Sequence, residues 1–279
     1  MMMRLIWLCG IALLGGFIAS TTAYAQNSGG GEPSCDPNTA LTQSPCSSLE
    51  RILNSLQRNA RELKSCTAEI AYLFVENPDF LGSKTLRKGQ LLYLKSDDRS
   101  WVRIDFNTLK QDDFEEQQRR EVYLFDGVWL TKVDFALEQV DMYQQAPADE
   151  PVDAIDFISH RFPLIGFSGG KHFESEFDVQ LAETQENTDP NLTHLILSVR
   201  PDSRYSKDYK KIDFWIDNNL YLPHRVCALS TQGDIYDIRF LNIQRNKKVE
   251  KQAFAIATPP HFSKNIEPLK QETQTKGQD

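Results

Sequence analysis

KIDFWIDNNLYLPHRV, residues 211–226, decides the fold class. Ile212, Phe214 and Ile216 alternate with Asp213, Trp215 and Asp217. A period of two scatters around a helix but gathers on one face of a strand. Asn218 and Asn219 supply a turn, and an apolar run resumes at Leu222, so the stretch predicts a β-hairpin with one apolar face. What that face meets is the functional question.

The pattern recurs outward from this hairpin. Val102, Ile104 and Phe106 alternate with Trp101, Arg103 and Asp105, and Tyr236, Ile238 and Phe240 alternate with Asp237, Arg239 and Leu241. Strands are predicted over 68–76, 88–95, 100–106, 120–126, 128–134, 137–143, 176–184, 193–200, 210–217, 222–230, 234–244 and 252–257. Parallel pairing would need long crossovers, and most of the intervening segments are short polar turns, so the sheet is antiparallel. Two segments break the β pattern. Ser47-Ser48-Leu49-Glu50 is a capping box, and Leu49, Ile52, Leu53, Leu56, Ala60 and Leu63 repeat at helical spacing, which predicts a helix over 48–64. Val152, Ile155, Ile158, Ser159 and Phe162 form a shorter helical stripe that Pro163 ends, with Leu164-Ile165-Gly166-Phe167 as an apolar loop after it.

Composition bounds the class. The chain has 279 residues, 40% hydrophobic and 25% charged, the range of a water-soluble globular domain. Arg4, the apolar stretch Leu5 to Ala19 and the small-x-small sequence Ala23-Tyr24-Ala25 read as a secretory signal peptide over 1–25, with the mature chain starting near Gln26. Cys9 lies inside the apolar region, so the lipid-anchored type of signal is not expected and the protein is expected to be exported and unanchored. Residues 26–46 are a polar flexible leader, one domain occupies 47–262, and 263–279 reads as a disordered tail. Without Arg4 there remain 30 basic against 39 acidic residues, a balance that argues against a nucleic-acid partner. Cys35, Cys46, Cys66 and Cys227 allow three disulfide pairings after export, of which Cys35 with Cys46, bracketing a short Pro-containing segment, is favoured. No C-x-x-C or H-E-x-x-H spacing supports a metal site, and no cofactor is expected.

For catalysis the strongest pattern is Gly166-Phe167-Ser168-Gly169-Gly170, a match to the G-x-S-x-G nucleophile elbow. That elbow works between a parallel strand and a helix, whereas Ser168 precedes a meander of strands. A Gly-rich loop leaving a short helix is the simpler reading, and the protein is expected not to be an enzyme.

The order of motifs resembles the LolA-like outer-membrane lipoprotein carriers. The resemblance rests on the signal peptide, the opening helix, Lys88-Gly89-Gln90-Leu91-Leu92-Tyr93-Leu94-Lys95, Trp101 and Tyr123-Leu124-Phe125-Asp126-Gly127-Val128-Trp129-Leu130. Its C-terminal half adds Phe214-Trp215-Ile216-Asp217, Leu222-Pro223, Gly233-Asp234, Phe240-Leu241-Asn242-Ile243 and Phe254 before Pro259-Pro260. It covers about residues 48–262 and implies a mainly β fold, an unclosed antiparallel half-barrel of about 10–12 strands capped by a short helical lid. The implied function is a periplasmic carrier that holds acyl chains in an apolar cavity and shuttles lipoproteins from an inner-membrane releasing transporter towards an outer-membrane acceptor, as a monomer. Alternation and resemblance together place Leu92, Leu94, Val102, Ile104, Phe106, Leu124, Ile212, Phe214, Ile216, Tyr236, Ile238 and Phe240 on the cavity, and Ile155, Ile158, Phe162, Leu164 and Phe167 on the lid. The family's lid-latching arginine precedes a proline where this chain has Ser96-Asp97, and Arg99 or Arg103 is the expected substitute. The rival readings are a lipid or protein sensor or acceptor of the same fold, a serine hydrolase using Ser168, and a structural envelope protein.

Overall fold

Helix α1, Ser48–Arg61, turns Leu56 and Ala60 inward one helical turn apart and packs against the sheet. Its C-terminal end is fixed by Asn246, whose Oδ1 accepts from the backbone N of Lys64 at 2.8 Å and whose Nδ2 donates to the Glu62 carbonyl at 3.2 Å. Arg245 adds a hydrogen bond to Asn59 and an ion pair to Glu62. These contacts belong to a computed structural model that describes residues 48–97, 99–159, 173–183 and 189–269.

The first meander consists of β1 (Ser65–Val75), β2 (Lys84–Lys95), β3 (Ser100–Gln111), β4 (Gln117–Phe125), β5 (Trp129–Asp134) and β6 (Gln139–Gln144). Two short helices, α2 (Ala154–Ser159) and α3 (Phe173–Glu176), come before the second meander. That meander is β7 (Phe177–Leu181), β8 (Leu192–Val199), β9 (Tyr209–Asp217), β10 (Leu222–Ser230) and β11 (Ile235–Arg245). A 3-10 helix, Lys251–Phe254, and β12 (Ser263–Glu267) complete the chain. All twelve strands form one sheet of order β12-β6-β5-β4-β3-β2-β1-β11-β10-β9-β8-β7. Antiparallel pairing of β1 with β11 joins the meanders, and the sheet ends at β7 and β12 without closing on itself, an unclosed half-barrel.

Eleven of the predicted strands fall on strands of this sheet; 252–257 does not, because Lys251–Phe254 coils into the 3-10 helix and lies outside the ladder. The tail expectation is corrected as well: Ser263–Glu267 is a strand, paired in parallel with β6 from Ser263 opposite Gln139 to Glu267 opposite Tyr143. All five of its side chains are exposed, so backbone hydrogen bonding holds it and no apolar pattern marks it.

Between β11 and β12 the chain passes over the outer face of the first meander. Phe262 is buried with Val122, Val133 and Val140, and Phe135, Met142 and Ile256 pack against this small second core. Arg103, facing the same way, donates to the carbonyls of Ala253 at 2.6 Å and Ala255 at 2.9 Å while forking onto Asp105 at 2.7 Å.

Candidate functional site

Side-chain parity in the ladder assigns every strand residue to one of two faces. Leu195 sits opposite Phe214, Phe214 opposite Val226, and Val226 opposite Ile238. Ile238 sits opposite Tyr72 in turn. Across the first meander Leu91 pairs with Ile104 and Ile104 with Tyr123, while Tyr93 pairs with Val102 and Val102 with Phe125. The result is a continuous inner face of large apolar side chains. Ile104, Ile212, Phe214, Ile216, Ile238 and Phe240 are all 0% exposed. Asp213 and Trp215 point outward, where Trp215 stacks on His194 at 4.2 Å and under the Arg225 guanidinium at 4.4 Å.

Nine of the twelve predicted cavity residues share the inner face: Val102, Ile104, Phe106, Ile212, Phe214, Ile216, Tyr236, Ile238 and Phe240. Leu92, Leu94 and Leu124 do not. Leu92 stands opposite Thr67 and Arg103, Leu94 opposite Ser65 and Trp101, and Leu124 opposite Arg103, which is the outer-face register. Leu91-Leu92-Tyr93-Leu94 is apolar at every position, so alternation cannot choose its face; Leu91 and Tyr93 are the buried pair.

Helix α2 covers one end of the inner face. Its Phe157 ring stacks on Phe125 at 3.9 Å and 18°, and its Ile155 and Ile158 side chains are buried. Phe162, Leu164, Phe167 and Ser168 lie outside the described residues. The latch expectation is revised. Arg103 is held under the C-terminal segment on the opposite face, and Arg99 reaches Asp126 at 4.0 Å with 32% of its side chain exposed. The root of α2 is instead tied by residues that the sequence reading did not single out. Asp153 accepts from the backbone N of Ile155 at 3.0 Å and of Asp156 at 3.2 Å, capping the helix. Its second oxygen accepts from Ser100 Oγ at 3.3 Å and Lys95 Nζ at 3.2 Å, and the Ala154 amide donates to Ser100 Oγ at 2.8 Å. The Asp-x-x before an apolar stripe was the available signal, but its partners on β2 and β3 are visible only in the fold.

Polar chemistry on the inner face gathers at the end remote from α2. Tyr123 donates to Glu121 at 3.1 Å, and Arg119 pairs with Asp134 at 2.7 Å. Burial pushes the Tyr72 hydroxyl up to about 12, with the Arg87 charge opposing and the Asp234 charge assisting, and it raises Tyr209 and Tyr236 too. Cys66, on the inner face opposite Tyr93, is pushed to about 12 by burial. Cys227 is on the outer face opposite Asp213; both thiols are free, while Cys35 and Cys46 lie outside the described residues.

No family model matches the chain, and no curated protein matches it by sequence. Among solved structures it is similar to an uncharacterized conserved protein from Thermus thermophilus, with 12% identity and a TM-score of 0.44 over 80% of this chain and 100% of that one. It is similar to MucB in the MucA/MucB complex of Pseudomonas aeruginosa, with 16% identity and a TM-score of 0.39 over 74% of this chain and 60% of that one. A third similarity is to a putative outer membrane lipoprotein-sorting protein domain from Vibrio parahaemolyticus, with 12% identity and a TM-score of 0.35 over 73% of this chain and 94% of that one. Similarities of this size decide nothing about function, and the half-barrel stands on its own strand order.

Proposed function

We propose that the protein is a periplasmic carrier that holds the acyl chains of lipoproteins against its inner face and shuttles them towards the outer membrane. One observation supports the reading: an open sheet carries large apolar side chains on its inner face from Phe125 on β4 to Leu195 on β8, buried in this structure, with a six-residue helix packed over one end. Three acyl chains drawn into water cost on the order of 30 kcal/mol at about 0.8 kcal/mol per methylene, so unassisted transfer is negligible. An apolar face offsets most of that cost, and a closing helix keeps the empty face from attracting other apolar surfaces. In this reading Ile155, Ile158 and Phe157 close over the site and Asp153, Ser100 and Lys95 form the hinge. Cargo would arrive from an inner-membrane transporter and leave to an outer-membrane acceptor. The protein acts as a binding protein and not a catalyst; labelling of Ser168 by a covalent serine probe would contradict that.

Native mass spectrometry with lipid extraction, on protein purified from the periplasm of an exporting cell, tests the reading. The carrier reading predicts co-purifying acylated peptide or lipoprotein, depleted by Phe214→Glu in a variant whose circular dichroism stays native. An apo mass that also takes up no added diacyl or triacyl lipopeptide would move the assignment to a sensor or structural protein of the same fold.

A further inference from the structure

The inner face has a chemical direction. Towards α2 its side chains are apolar, among them Val102, Phe125 and Ile216, up to Ser100 and Lys95, whose polar groups are taken up by Asp153 at the root of the helix. At the other end it carries Arg87, Arg119, Glu121 and Asp134, of which Glu121 is 5% and Asp134 3% exposed. Three of the four are satisfied within the protein. Asp134 accepts from Arg119 at 2.7 Å and from the backbone amides of Ala136 and Leu137 at 3.0 Å each. Glu121 accepts from Tyr123 at 3.1 Å and lies 3.6 Å from Arg119 Nε. Arg87 differs. It stands opposite Tyr72, its Nε is 3.7 Å from Glu121, an ion pair but too far for a hydrogen bond, and that nitrogen is the one buried side-chain polar atom without a hydrogen-bond partner among the described residues. A guanidinium cannot shed its proton, so this Nε–H remains a donor without a hydrogen-bonded acceptor, with the Glu121 carboxylate as its nearest charge.

We propose that Arg87 is a polar subsite that receives the carbonyl oxygen at the root of an acyl chain, the chain then running along the apolar rows towards α2. The inference rests on the chain-binding reading above and gives the bound chain an orientation. Charge favours a neutral acceptor: the two guanidinium groups are already balanced by two carboxylates, so a full anion would meet no net positive field. Length fits as well. From Arg87 to Tyr93 the inner face of β2 runs six residues, about 20 Å at the rise of a strand, against about 15 Å for a chain that fills one leaflet of a bilayer. An ester or amide carbonyl of this kind occurs in acylated proteins and in phospholipids alike.

The test is a matched ligand pair, methyl hexadecanoate and hexadecyl methyl ether, which differ in the carbonyl alone, titrated by displacement of anilinonaphthalene sulfonate from the mature chain. The proposal predicts that the ester binds about tenfold more tightly than the ether, and that Arg87→Met brings the ratio to about one while ether binding persists. Glu121→Gln, which removes the carboxylate competing for Arg87, is predicted to widen the ester preference, and it carries the test should Arg87→Met fail to fold. Equal binding of ester and ether by the wild type, or an unchanged ratio in Arg87→Met, overturns the subsite and leaves chain binding standing. Failure of both ligands to bind overturns the chain-binding reading itself. With the subsite established, tighter binding of a diacylated cysteinyl peptide than of phosphatidylethanolamine of equal chain length assigns the carbonyl to acylated protein, and the reverse order assigns it to free lipid.

Discussion

Single residues set the spacing of this sheet. Gly89 sits where β2 shifts register against β3, and a Cβ there would lie 1.8 Å from the Asp105 carbonyl oxygen and 2.8 Å from Phe106 Cα. Both obstacles are backbone, so Gly89→Ala is predicted to cost on the order of 3 kcal/mol, read as a lowered urea midpoint with an unchanged slope. Titration gives a second prediction at this scale. Cys66 and Tyr72 ordinarily ionise near 9.0 and 10.0, and burial raises both to about 12. Raised acid groups favour the folded state fully below their unfolded values, and that contribution is lost as pH climbs from about 9 to 12. Denaturant midpoints should therefore fall progressively across that window, and the Cys66 thiol should resist alkylation at pH 8 in the native protein. A flat midpoint to pH 11 would contradict the burial of these groups. Residue assignments were legible where polar residues alternate with apolar ones, as in Ile212-Asp213-Phe214-Trp215-Ile216. They were illegible in Leu91-Leu92-Tyr93-Leu94 and Tyr123-Leu124-Phe125, where every position is apolar and cross-strand register alone selects the face.

Among the elements, α2 is too short to stand alone. Six residues do not sustain a helix in water, so its persistence depends on the Asp153 cap and on Phe157 against Phe125. Asp153→Ala is predicted to cost about 1 kcal/mol and to speed the exchange of a bound fluorescent acyl chain; Lys95→Met, which removes only a half-exposed ion pair, should cost less than about 0.5 kcal/mol. Stopped-flow exchange rates for the two variants check the ranking, and equal rates in wild type and Asp153→Ala would contradict a hinge at this residue. The sequence carried α1, the α2 stripe and eleven strands because each buries one side of a periodic pattern. It could not carry β12, whose side chains are all exposed, nor the pairing of Lys95 and Ser100 with Asp153, which joins residues distant in sequence.

At the scale of the whole molecule, the half-barrel has two unlike faces. The inner one is apolar across both meanders except at the end that carries Arg87, Arg119, Glu121 and Asp134, while the outer one carries the ion-paired ladder around Trp215 and, over β4 to β6, a second small core closed by the C-terminal segment. That segment also covers the β6 edge with β12. A chain ending at Phe262 would leave the β6 edge unpaired, and its size-exclusion profile is predicted to become concentration-dependent; a profile identical to that of the chain with β12 would show that β12 has no protective role. The separation of faces makes the central claim directly measurable. A diazirine placed within the hydrocarbon of a diacyl lipopeptide, photolysed in complex with the protein and mapped by peptide mass spectrometry, should label inner-face residues such as Ile104, Phe214 and Ile238 and spare Leu92 and Leu124. Adducts confined to the outer face, or no adducts at saturating lipopeptide, would contradict the inner face as the acyl-chain site.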